Sequence, residues 1–141
     1  MDAQKLTKKS LEAISAAQNM ALENQNMQIM PEHLLYALVD QEGGLVPQLL
    51  KKQGVDCDSL LAAVDREIEK IPGVSGSGRE PDKIYISPIT DKILSQAEKN
   101  AMSSKDEYVS VEHIMLALFD NAPENIREIF RTFQMTKDKF L

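Results

Sequence analysis

Apolar residues recur along this chain at helical spacing. Between Thr7 and about Asn24, Ala13, Ile14, Ala17 and Ala21 fall on one helical face, and the Thr7 hydroxyl stands where an N-cap belongs. Pro31 suits the first turn of a second helix, whose apolar stripe is Leu34, Leu35, Ala37 and Leu38. Gly43-Gly44 then signals a turn. A third, short helix carries Val46, Leu49 and Leu50 and stops near Gly54. Asp56 or Asp58 caps a fourth, with Leu60, Leu61, Val64, Ile68 and Ile71 expected on its buried face. The pattern breaks from Pro72 to Asp82, a Gly/Ser/Pro-rich stretch that reads as a mobile linker open to proteolytic nicking. Lys83 to Ile86 reads as briefly extended, and Ser87-Pro88 restarts a helix.

The second half repeats the first. A shift of 80 residues superimposes positions 6–61 on 86–141 without a gap. Ser15/Ser95, Ala17/Ala97, Glu32/Glu112, His33/His113, Leu38/Leu118 and Asp40/Asp120 are identical pairs, and Thr7/Ser87 and Leu34/Ile114 are conservative ones. Matches at core and cap positions imply a shared packing plan. The expected architecture is all-α: about eight helices in two four-helix repeats related by a pseudo-twofold, forming a single domain over 1–141. Repeat one spans about 1–71, the linker 72–82 and repeat two about 83–141, its last helix cut short as in a piece of something longer.

Composition narrows the function classes. The chain has 141 residues, 43% hydrophobic and 27% charged, enough for one packed core without metal or disulfides. A net charge of −6 opposes binding to phosphate backbones or anionic lipid, so neither nucleic acid nor membrane is an expected partner. The single cysteine, Cys57, the lack of an apolar leader and the lack of a glycosylation sequon suit a cytoplasmic protein.

The segments Pro31-Glu32-His33-Leu34-Leu35-Tyr36-Ala37-Leu38 and Val111-Glu112-His113-Ile114-Met115-Leu116-Ala117-Leu118 resemble the paired motifs of the Clp N-terminal domain. That domain precedes the AAA+ modules of Clp ATP-dependent unfoldases and disaggregases. Gln41-Glu42-Gly43-Gly44, Pro47-Gln48-Leu49-Leu50 and Ile71-Pro72-Gly73-Val74 are similar to the ClpB branch in particular. The resemblance implies a non-enzymatic domain that binds misfolded or aggregated clients weakly and hands them to a hexameric ATPase ring. ATP and magnesium would belong to the parent's modules, because no G-x-x-x-x-G-K-[ST] occurs here and no cofactor is expected in the fragment. The fragment alone is expected to be monomeric. An adaptor-docking or phosphoarginine-reading domain of a protease-coupled Clp is the alternative.

In the ClpB branch the first-helix threonine, an acid before the second motif and the second-motif glutamate take part in substrate handling. By resemblance these roles fall on Thr7, Asp106 and Glu112. A groove between the repeats, lined by Leu94, Ile114 and Met115, is expected to receive apolar client segments. The phosphoarginine alternative would use Glu32 and Glu112, expected as exposed anions at matching places, each also favoured by its helix dipole. His33 and His113 invite a metal or catalytic role, but no converging ligand set and no H-E-x-x-H accompany them. Local bonding at a helix start is the expectation. A hydrolase built on the Glu-His pairs lacks a nucleophile motif such as G-x-S-x-G. Most of the seven methionines should fill core gaps, although methionines also suit adaptable binding surfaces. Cys57, at a helix start, is a candidate for a lowered pKa.

Overall fold

A computed structural model describes residues 3–74 and 84–141. The central part of the expected linker, and the mobility and nicking expected of it, lie outside the described residues. Helices α1 (Lys8–Glu23), α2 (Pro31–Asp40), α3 (Leu45–Lys52) and α4 (Cys57–Glu69) are followed by α5 (Pro88–Ser103), α6 (Val111–Asn121), α7 (Glu124–Thr132) and α8 (Lys137–Phe140). The bounds of α1 and α5 coincide after the shift of 80, and α2 and α3 have their counterparts in α6 and α7. The all-α, eight-helix expectation holds.

Local chemistry explains the boundaries. Thr7 and Ser87 cap α1 and α5, their hydroxyls accepting from the backbone N–H of Ser10 at 3.1 Å and Thr90 at 3.2 Å. Asp56 caps α4, and Gly44 precedes the first turn of α3. The stops repeat as well. Gln25 and Lys105 adopt positive φ after α1 and α5, and Gly54 and Gln134 do so after α3 and α7. At each stop the next N–H reaches back to a helical carbonyl, Asn26 to Ala21 at 2.8 Å and Asp106 to Ala101 at 2.9 Å. Three of these four left-handed positions carry a side chain, so tertiary packing overrides the usual preference for glycine.

The two short parallel pairings are crossed between the repeats. Strand β1 (Gln28–Ile29), before α2, pairs with β2 (Tyr85–Ile86), which enters the second repeat. Leu6, entering the first repeat, pairs with Val109 before α6. Thr7 N–H donates to the Val109 carbonyl at 3.1 Å, and its counterpart Ser87 N–H donates to the Ile29 carbonyl at 3.2 Å. The extension expected at Lys83–Ile86 is thus present at Tyr85–Ile86. One continuous core runs through both repeats, with α2 and α6 at its centre, packed on each other and on α1 and α5. Leu35, Leu38, Ile114, Met115 and Leu118 are fully buried there.

Candidate functional site

Helices α2 and α6 begin with the same device. The backbone N–H of Met30 donates to His33 Nδ1 at 2.9 Å, and that of Ser110 donates to His113 Nδ1 at 2.9 Å. Accepting at Nδ1 places the ring proton on Nε2. His33 Nε2 then donates to Asn26 Oδ1 at 2.9 Å, and His113 Nε2 donates to Asp106 Oδ2 at 2.9 Å. Both ring nitrogens are engaged in each case, which leaves no lone pair for a metal or a general base. No group of three potential metal ligands occurs among the described residues. Burial lowers the His33 pKa to about 4, so this ring is neutral at physiological pH.

The acids beside these rings differ in exposure. The Asp106 side chain is 52% exposed even while it holds His113. Glu112 is half-buried and accepts the Ser110 hydroxyl at 3.1 Å. Thr7 reaches the same α5–α6 connection: its hydroxyl donates to Ser10 Oγ, which in turn donates to the Val109 carbonyl at 2.9 Å. Thr7, Asp106 and Glu112 therefore converge on the segment between Ser104 and Ser110. Tyr108, exposed on that segment, is a candidate contact that the sequence reading missed. Its place two positions after Asp106, between that acid and the second motif, was the available signal.

Three expectations are corrected. Leu94 is 4% exposed and Ile114 and Met115 are closed off entirely, so they line no open groove. Their apolar bulk fills the core around α6, which is covered on several sides by α5, α2 and α3. Glu32 is not an exposed anion but is 6% exposed, and its Oε1 has no hydrogen-bond partner. Burial, reinforced by the Glu67 carboxylate, raises the Glu32 pKa, although its own backbone N–H and Asn125 pull the other way. Cys57 is also buried, and burial pushes its thiol up, opposite to the activation considered for it. Met115 and Met135 fill core space, whereas Met102 is exposed.

The comparisons with known proteins place the fold in a family. The family model of the Clp repeat N-terminal domain matches residues 5–133. The chain is 41% identical, over its whole length, to the chaperone protein ClpB of Nitratidesulfovibrio vulgaris, and 37% identical to that of Bacillus anthracis. It spans 16% of the length of each of these relatives. Among solved structures, the Hsp104 N-terminal domain from Candida albicans superimposes with a TM-score of 0.81 at 28% identity, over 96% of this chain and 86% of that one. A ClpV N-domain in complex with a VipB peptide shares the fold, with a TM-score of 0.73 at 19% identity over 96% of this chain and 81% of that one. No described helix is long and apolar enough to cross a membrane. The chain belongs to the Clp N-terminal domain family.

Proposed function

We propose that this domain recognises unfolded or aggregated protein clients for a ClpB-type ATPase, through the surface around the α5–α6 connection. One observation carries the reading: the whole chain matches ClpB chaperones, one of them at 41% identity. The local chemistry supports it. An exposed carboxylate, Asp106, and an exposed aromatic ring, Tyr108, stand two residues apart on a connection braced by Thr7 and Ser10. Such a surface offers charge and apolar area without a deep pocket, which suits weak capture followed by release into the parent's ring. The peptide held by a ClpV N-domain supports peptide capture by this fold. ATP and magnesium act in the parent, which is hexameric in this reading, while the isolated domain is a cytoplasmic monomer. The phosphoarginine alternative is less well supported, because Glu32 is buried.

The test is binding of a fluorescently labelled, permanently unfolded casein. Asp106→Asn with Glu112→Gln removes both charges while retaining an acceptor for His113 and for the Ser110 hydroxyl. Weaker binding with an unchanged melting curve is the expected result. Unchanged affinity would remove these acids from the site.

A further inference from the structure

Repeat one carries a furrow floored by Ala13 and Ala16, positions at which repeat two carries the bulkier Ile93 and Gln96. Between α1 and α2 lies a hollow of about 350 Å³ with a mainly apolar floor of Ala13, Ala16, Met20 and Ala37, walled by Tyr36. Met20 also borders a smaller hollow of about 200 Å³ beside Glu23 and Asp65. Asp40 and Glu42 also border one of about 420 Å³ in front of α3.

The shift of 80 shows how repeat two differs at the matching positions. Ala13 is replaced by Ile93, which is fully buried. Ala16 is replaced by Gln96, whose side chain donates to Asn100, the counterpart of Met20, at 3.0 Å. The charges change in parallel. Glu12 and Glu42 become Lys92 and Ala122, and Asp120, the counterpart of Asp40, is neutralised by Lys137 at 2.8 Å. In repeat one, no ion pair joins the carboxylates of Asp40 or Glu42 to a cation among the described residues; the exposed Lys9 reaches Glu12 at 3.5 Å and donates to the Glu42 backbone carbonyl at 3.1 Å, leaving the net rim charge negative. The local field is negative enough that Asp40 and Asp65 add to burial in raising the Tyr36 pKa.

We propose that this furrow seats lysine or arginine side chains of an extended cationic polypeptide. The aliphatic stem of such a side chain would lie on Ala16 and Met20, with its charge between Asp40 and Glu42. A long cationic side chain buries its methylenes while keeping its head in a polar rim, which matches an apolar floor under carboxylates. The proposal rests on the client-recognition reading and supplies a second, chemically distinct subsite for it.

The probe is a labelled, unstructured peptide of alternating lysine and alanine, titrated with the full chain at fixed ionic strength. Asp40→Asn with Glu42→Gln should weaken binding about tenfold, roughly the loss of two partly screened ion pairs. Glu69→Gln with Asp91→Asn removes the same net charge elsewhere and should leave affinity within about twofold. Ala16→Gln copies repeat two at an exposed position and should weaken binding with every carboxylate in place. Equal losses in the two charge variants, no loss in Ala16→Gln, or equal binding of a glutamate–alanine peptide would overturn the proposal. Asp106→Asn with Glu112→Gln should leave lysine-peptide binding unchanged. Loss of casein binding in that variant alone would track the α5–α6 surface, so each reading fails separately.

Discussion

The two histidine centres share one geometry and differ in the groups around it, above all in the one that receives Nε2. At α2 the ring is sealed: His33 is fully buried and its partner Asn26 is 3% exposed. Asn26 is itself held, accepting from Asn24 Nδ2 at 2.9 Å and donating to the Pro72 carbonyl at 3.3 Å. Asn24 extends the network to the Ile68 carbonyl, so the α2 start, the α1 end and the α4 end are tied at one point. At α6 the partner is Asp106, half in water, and Ser104 replaces Asn24. The same backbone therefore supports a structural rivet in one repeat and a surface-facing hydrogen bond to a carboxylate in the other. A duplicated device diverges by changing the groups beyond the ring, leaving the ring alone.

Four measurements sharpen this contrast. His33→Ala should cost about 3–4 kcal/mol in urea unfolding, through a buried cavity and orphaned polar partners, whereas His113→Ala should cost about 1–2 kcal/mol. Equal costs would break the comparison. The second concerns acid. His33 is neutral in the folded chain down to about pH 4, while an unfolded histidine protonates near 6.5. The unfolded state then binds the extra proton, so stability is lost as pH falls from 6.5 towards 4, by on the order of 3 kcal/mol. Asn26→Asp should flatten this slope by giving His33 the partner that His113 has; a slope unchanged in that variant would assign it to other groups.

The third compares the glutamates. The raised Glu32 pKa means that the folded state holds a proton to higher pH than the unfolded one. Its contribution therefore declines as pH rises through the ordinary carboxylate range to the raised value. Glu32→Gln should gain about 1 kcal/mol at pH 7, and the gain should vanish in acid. Glu112→Gln should stay within about 0.5 kcal/mol at either pH, as thermal melts would show. The smallest effect is that of Asp106→Asn, also within about 0.5 kcal/mol, because the side chain is half in water and the amide oxygen still accepts from His113. A larger loss would make that centre a rivet too.

The helices, their caps and the duplication were legible because they depend on short-range pattern: Thr7, Asp56 and Ser87-Pro88 announce their roles within four residues. The candidate site was legible only as chemistry. Leu94, Ile114 and Met115 carry the same apolar signature whether a helix faces a groove or a neighbouring helix, and α6 is covered on too many sides to leave a groove. Glu32 and Glu112 occupy equivalent first turns, yet what lies above each is set by the other repeat. Asn125 and Glu67 cover Glu32, and no local rule places them there. The left-handed stops at Gln25, Lys105 and Gln134 were equally hidden, since none is a glycine.

The crossed pairings have a consequence in time. Ser10 and the Val109 carbonyl that receives its hydroxyl are separated by 99 residues of chain. At typical synthesis rates of about 5–20 residues per second, the acceptor follows its donor by about 5–20 s. During that interval the entry to α1 lacks its bonding partner, and Ile29 still awaits Ile86. The first half of the chain is thus an unlatched structure on the ribosome. Each half is clasped by a strap that belongs to the other.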